Sequence, residues 1–232
     1  MGKRSEGIGF ALLVAALMAV ALLPSLALAK SKPGKLPPVD TSKAGTCDFI
    51  AQPDSTLCML PFPNDHFTRD DPSSPTGKRI DFETAGMPTN VLGQPIQAAP
   101  YNAADGFSQG ATILLRVPGI ETTADVRATG AVPIDHIGRY RRSGAPVVVI
   151  DAESGKRWPI WVEIDSTQPN PANRALEVHP AVNFESGHRY IVALRNLRNA
   201  PGEEIEAPYA FRYYRDRVHS KQPEVEARRK HF

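Results

Sequence analysis

The sequence predicts an all-β fold, an antiparallel β-sandwich with a proline-rich, irregular N-terminal extension. The chain of 232 residues contains 22 prolines and 17 glycines but is still 41% apolar, which is typical of many short elements joined by turns. After Gly106, β-branched or aromatic runs recur, each ended by turn-forming residues. Helical periodicity is confined to two C-terminal stretches, 209–217 and 223–232, and the second opens with a proline followed by glutamates.

The first 29 residues have the pattern of a secretory signal peptide. Lys3 and Arg4 precede an apolar run over 8–23, and the A-x-A pattern of Ala27 and Ala29 follows a break at Pro24. A basic region, an apolar region and a small-residue site predict cleavage after the last of these residues. An uncleaved anchor that leaves the domain on the same side of the membrane is the alternative. The sequence therefore predicts a product that is secreted or located in the cell envelope.

Residues 30–46 are rich in Lys, Pro, Gly and Ser and predict a flexible leader before the folded part. Cys47 and Cys58 follow, and they are the two cysteines of the chain. Outside the cytoplasm such a pair is expected to form a disulfide, which would stabilise the fold by about 3 kcal/mol. A redox pair or a zinc site is not indicated, because the spacing is not C-x-x-C and no second cysteine pair exists.

The folded domain is expected over 47–214, and its first part, as far as residue 104, is an irregular and proline-dense arm. Strands are predicted, in order, over 111–117, 147–151, 158–164, 176–179, 189–197 and 209–214. In the fifth of these runs Tyr190, Val192 and Leu194 alternate to one side, so one face is expected in the core and the other in solvent. The basic stretch 215–232 predicts either a solvated tail or the start of a further element.

The segment 176–211 resembles the closing strands of bacterial Ig-like domains. Phe184, Gly187 and Tyr190 fit the hairpin pattern apolar-x-x-Gly-x-x-Tyr of those domains. The resemblance implies that Gly187 supplies a turn. It also implies that the Tyr190 ring is buried while its hydroxyl bonds the upstream backbone, as in a tyrosine corner.

A wider resemblance covers the chain from Cys47 almost to its last residue. The motifs CMLPFPND at 58–65, DGFS at 105–108 and VVIDA at 148–152 resemble the N-terminal region of secreted bacterial proteins related to the virulence-factor lipases. In that family an Ig-like domain precedes an α/β-hydrolase domain. The resemblance therefore implies a non-catalytic accessory module, whose expected partner is a hydrolase domain or a component of the cell envelope.

One motif favours an enzyme instead. Residues 106–110 read Gly-Phe-Ser-Gln-Gly and match the G-x-S-x-G nucleophile elbow, so Ser108 is the candidate nucleophile of a secreted serine esterase or lipase. An elbow needs a buried strand before the serine and a helix after it. Here polar residues precede Ser108 and an apolar, strand-like run follows it, which favours a turn that leads into a strand.

A free-standing adhesion or glycan-binding module is the third hypothesis, because Trp158 and Trp161 could form an aromatic platform. In a regular strand the two rings face opposite sides, unless Pro159 forces a bulge. The histidines occur singly, without the spacing of common metal sites, so neither a metal nor a cofactor is expected. The net charge of +2 gives no electrostatic footprint for nucleic acid.

Overall fold

The computed structural model describes residues 36–51 and 58–232. The predicted signal peptide and the first residues of the predicted leader lie outside these ranges. Within them, no helix combines the length and the apolar character that crossing a bilayer requires.

The described chain is rich in β-structure and forms three small antiparallel sheets. A two-stranded sheet joins β1 (Thr68–Asp70) and β2 (Lys78–Ile80). A second sheet has the order β3 (Ile113–Leu115), β7 (Leu176–Pro180), β6 (Ile160–Ile164), and a third has the order β5 (Arg157–Trp158), β4 (Val147–Asp151), β8 (Tyr190–Leu194).

The two three-stranded sheets contribute to one hydrophobic core. In β6, Ile160, Val162 and Ile164 are buried while Trp161 and Glu163 are more exposed, the period of two that a half-buried strand requires. The core collects buried side chains from both sheets: Ile113, Val147, Val149, Ile160, Val162, Leu176 and Val178.

The run predicted as one strand over 158–164 is divided at Pro159. Trp158 pairs with Val149 in the third sheet, whereas Ile160 begins a ladder with β7 in the second sheet. Proline has no N–H to donate to a ladder, so it is a suitable residue at the point where the chain leaves one sheet for the other.

The prediction of a strand over 209–214 is wrong. Residues Tyr209–Arg215 form helix α2, in which Ala210, Tyr213 and Tyr214 are buried. Their spacing of three and four residues places them on one helical face. Aromatic residues are favourable in strands, whereas the helical periodicity over 209–217 agrees with the observed helix.

Two further short helices are present. Helix α3 (Pro223–Ala227) has a proline at its first turn and begins with acidic residues, both favourable at a helix N-terminus. Helix α1 (Thr123–Ala128) was not predicted. It begins with a capping box, in which the Thr122 side chain accepts the N–H of Asp125 and the Asp125 carboxylate accepts the N–H of Thr122.

A second hydrophobic cluster joins the N-terminal segment to the C-terminal helices. Leu36 and Val39, within the predicted leader, are buried against residues of α2 and α3. The Tyr213 hydroxyl donates to the Leu36 carbonyl at 3.1 Å. The Gln222 amide accepts the Val39 N–H at 2.8 Å and donates to the Val39 carbonyl at 2.6 Å. Parts of both the predicted leader and the predicted basic tail therefore belong to the folded structure.

A buried ion pair lies beside this cluster. The Asp48 side chain is 1% exposed and receives two guanidinium N–H groups of Arg228. Burial alone would raise the pKa of Asp48, but the Arg228 charge, its hydrogen bonds and the Ile50 N–H together hold that pKa below its usual value. The Arg228 guanidinium also lies over the Phe49 ring.

The disulfide between Cys47 and Cys58 is confirmed, with the two Cα atoms 4.5 Å apart. Gly86 packs against this bridge. A Cβ atom at this position would lie 2.7 Å from the Thr46 carbonyl oxygen and 3.2 Å from the Cys58 Sγ. Only glycine allows the two segments to approach so closely.

Candidate functional site

Ser108 lies in an exposed turn. Its Oγ accepts the Gly110 N–H at 3.3 Å, and its carbonyl accepts the Ala111 N–H at 3.0 Å. A short 3-10 turn, Tyr101–Ala103, precedes it, and strand β3 follows it. Within the described ranges no hydrogen bond joins Ser108 to a histidine. The strand-turn-helix geometry that would aim a nucleophile does not surround this residue.

Gly187 and Tyr190 shape the turn that leads into β8. Gly187 has a φ of +76°, in the left-handed region that favours glycine. The Tyr190 hydroxyl accepts the N–H of Glu185 at 2.9 Å. The Tyr190 ring meets Trp158 edge-on with centroids 5.2 Å apart, and Phe184 lies 4.4 Å from Tyr190. Trp158 therefore takes part in an aromatic packing cluster.

The outer face of the second sheet carries a compact group of polar side chains. The antiparallel register sets Glu163 opposite Glu177 and Trp161 opposite His179. Residues two apart on a strand point to the same side, so all four share one face. Because Ile160, Val162 and Val178 point to the core from the alternate positions, this face points away from it.

The imidazole of His179 is held by two neighbours. Its ring stacks on Trp161 with centroids 3.8 Å apart and an interplanar angle of 11°. Its Nδ1 lies 3.1 Å from the Thr112 Oγ1. The other nitrogen, Nε2, lies 3.2 Å from the Glu163 Oε1 and 3.5 Å from the Glu177 Oε2. We call Glu163, Glu177 and His179 the carboxylate–histidine cluster.

The surroundings of Glu177 disfavour its negative charge. Burial raises the pKa of Glu177, and the nearby charges of Asp165 and Glu163 act in the same direction, while His179 opposes them. The His179 Nε2 is inaccessible to solvent and has no well-aligned hydrogen-bond partner among the described residues. One ligand atom from each of the three side chains lies within 4.8 Å of the others. The cluster can accommodate a bound cation.

A second histidine, His188, has a different arrangement. Its Nδ1 lies 3.4 Å from Asp151, whereas its Nε2 lies 3.3 Å from Glu153 and 3.5 Å from Glu185. The ring therefore bridges carboxylates on opposite sides, and no single point is shared by all the ligand atoms. The hydrogen bond from the Ser154 hydroxyl is the main reason that the pKa of Asp151 is lowered.

An apolar turn projects from the N-terminal arm. Val91 is fully exposed and Leu92 is 80% exposed. The turn is ordered by Asn90, whose side-chain oxygen accepts the N–H groups of Leu92 and Gln94 and whose own N–H donates to the Gln94 carbonyl. Gly93 completes it with a φ of +73°. We call this feature the Val91–Leu92 tip.

The sequence alone did not identify the carboxylate–histidine cluster or the Val91–Leu92 tip, for different reasons. Glu177 and His179 are separated by one residue in a predicted strand, which indicates that they share a face. Glu163 joins them only through the register of β6 against β7. The tip lies in the stretch that was predicted only as an irregular, proline-dense arm. Two adjacent aliphatic residues between Asn90 and Gly93 are a signal of an exposed apolar turn.

No family model, no curated protein and no solved structure matches the chain. Its function is therefore inferred from its own residues: the disulfide, the shared core of the two three-stranded sheets and the Val91–Leu92 tip.

Proposed function

We propose that the protein is an exported, non-catalytic interaction module, secreted or held in the cell envelope. In this proposal it is the Ig-like accessory domain of a hydrolase-type protein, and its partner is a hydrolase domain or a component of the envelope. Three features support the proposal: the disulfide, the shared core of two antiparallel sheets, and the exposed apolar tip.

Export is supported by the sequence pattern of residues 1–29 together with the Cys47–Cys58 disulfide. Disulfides persist in oxidising compartments and are rare in the cytosol. The intact mass of the product from its native host tests this directly. We expect a mass that corresponds to cleavage after residue 29 and to the loss of two hydrogens on oxidation. A product that retains residues 1–29 or contains two free thiols would contradict cleavage or oxidation, respectively.

The Ig-like sandwich is supported by two observations. Residues from two three-stranded antiparallel sheets meet in one hydrophobic core. The hydroxyl of Tyr190 bonds the backbone five residues upstream, at Glu185, as the resemblance to Ig-like domains implies.

The Val91–Leu92 tip is the single observation that carries the binding role. Adjacent apolar side chains that are both exposed form a contiguous apolar patch, a feature typical of sites of contact with other molecules. The hydrogen bonds of Asn90 fix the turn in advance, so less conformational entropy is lost when the tip is bound. Burying two such side chains contributes about 1.5 to 3 kcal/mol each.

A binding measurement with the purified exported chain tests this role. The wild type, the double variant V91S/L92S and the control V182S are compared for binding to the washed cell-envelope fraction of the native host. Val182 is a suitable control because it is also exposed but lies in another loop. We expect saturable binding that V91S/L92S weakens at least tenfold and V182S leaves unchanged. Equal binding by the wild type and V91S/L92S would refute the role of the tip.

A further inference from the structure

We propose that Glu163, Glu177 and His179 form a binding site for a divalent transition-metal ion of the zinc type. The ligand atoms are one oxygen from each carboxylate and the Nε2 of the imidazole. This inference does not depend on the proposed interaction role, because it concerns different residues from those of the Val91–Leu92 tip.

The first argument is the pairing of like charges across the sheet. Glu163 stands directly opposite Glu177 in the β6–β7 ladder. Cβ atoms of directly opposed residues are about 5 Å apart, and like charges at such positions destabilise a sheet. Leu114 occupies the position opposite Glu177 on its other side, in β3, so the carboxylate has an apolar neighbour there. A cation between the two glutamates removes this conflict.

The second argument is the orientation of the imidazole. Stacking on Trp161 and the contact of Nδ1 with Thr112 fix the ring so that Nε2 faces both carboxylates. In the tautomer that donates its Nδ1 hydrogen to Thr112, the ring presents the Nε2 lone pair to two carboxylates, and a cation between them makes this arrangement favourable. Metal-bound histidines characteristically have their second nitrogen hydrogen-bonded in this way.

The third argument is the distance between the ligand atoms. Zinc binds nitrogen and carboxylate oxygen at about 2.1 Å, so two ligand atoms of a tetrahedral site are separated by about 3.4 Å. The Nε2 of His179 is 3.2 Å from the Glu163 oxygen and 3.5 Å from the Glu177 oxygen. All three ligand atoms lie within 4.8 Å of one another, so a small movement of one carboxylate completes the set.

The donor set also selects the class of ion. Imidazole suits zinc, copper, iron and nickel, whereas calcium requires six to eight oxygen ligands. Three protein ligands leave a fourth tetrahedral position for water or another molecule. The Glu163 side chain is 50% exposed, so its movement can admit an ion from solvent to the otherwise inaccessible Nε2 of His179.

Isothermal titration with ZnCl₂ tests the site, using the exported chain with its disulfide intact after treatment with a chelator. We expect one saturable site per chain, which CaCl₂ and MgCl₂ do not occupy. His179→Gln and Glu177→Gln should abolish the site, and Thr112→Val should weaken it about 10- to 100-fold by freeing the ring. His188→Gln is the matched control, because His188 also lies among carboxylates, and it should leave the titration unchanged.

Fluorescence of the wild type provides a second measurement in case a ligand variant fails to fold. Bound Cu²⁺ at His179 should quench Trp161, whose ring lies 3.8 Å from the imidazole. Trp161→Phe should retain the calorimetric site but lose most of the quenching. Absence of saturable zinc binding to the wild type would refute the proposal. Binding that persists in His179→Gln, or quenching that is equal in Trp161→Phe, would also refute it.

Discussion

The buried ion pair between Asp48 and Arg228 should be a principal determinant of stability. Asp48 is on the N-terminal segment and Arg228 follows helix α3, so the pair joins parts of the chain that are far apart in sequence. We consider the variant Arg228→Met, which keeps an apolar stem of similar length but removes the guanidinium.

The expected loss of stability in Arg228→Met follows from the groups that remain around the Asp48 carboxylate. Its carboxylate keeps the Ile50 N–H, at 2.9 Å, and the Asn64 side-chain amide. The full negative charge then stays buried without a counter-ion, because the side chain is only 1% exposed. Removing one partner of a buried ion pair typically costs about 3 to 5 kcal/mol. The loss of the cation–π contacts with Phe49 and Phe232 adds to this cost.

Urea unfolding, followed by tryptophan fluorescence, measures the effect. With a denaturant slope of about 2 kcal/mol per M, the midpoint of Arg228→Met should fall by about 1.5 to 2.5 M. The double variant Asp48→Asn/Arg228→Met should recover part of this loss, because it no longer buries an unpaired charge. The pKa of Asp48 is lowered in the folded protein, so the wild-type pair stabilises fully above the unfolded pKa of about 3.9. This contribution disappears as the pH falls through the folded pKa.

Two results would refute this reasoning. A midpoint shift below about 0.5 M for Arg228→Met would show that the charge of Asp48 is solvated. A double variant that is less stable than Arg228→Met would show that the loss arises from packing and not from the unpaired carboxylate.

Three other predictions follow from particular contacts. Gly86→Ala should lower the free energy of unfolding by about 1 to 3 kcal/mol, because its Cβ would collide with the Thr46 carbonyl. Thermal melts measure this effect, and Gly45→Ala is the control because the space around its Cβ is open. Burial lowers the pKa of His66, so stability should fall as the pH drops from about 6.5 through the folded pKa; this slope should diminish in His66→Gln, and an unchanged slope would contradict the assignment. Ser108→Ala should leave any esterase turnover of the purified chain unchanged, and loss of turnover with retained folding would favour the catalytic alternative.

Most strands could be predicted because their residues repeat with the period of the backbone. Strand β4 has the predicted bounds, 147–151. Strand β7 ends one residue after the predicted run 176–179, and β8 is shorter than the predicted run 189–197. The alternation in β6 also follows directly from its sequence. The strand over 209–214 was predicted because Tyr and Phe are favourable in strands, although the same residues also have helical periodicity. Tertiary burial of one helical face outweighed the strand preference in α2.

The carboxylate–histidine cluster could be predicted only in part. Glu177 and His179 share a face in any strand that contains both. Glu163 lies in β6, and Thr112 directly precedes β3. Their approach to His179 depends on the register of β3, β7 and β6. Register is determined by the buried residues of the whole sheet, such as Val162 opposite Val178, and a local pattern does not contain that information.

The division of the run 158–164 into two strands at Pro159 has a consequence for local unfolding. β5 and β6 are separated by a single residue but belong to different sheets. Thermal fluctuations that detach β6 from β7 must therefore displace the end of β5 as well, because one residue of chain gives almost no slack. Amide hydrogens of the β4–β5 and β6–β7 ladders are thus expected to exchange with solvent as one cooperative unit.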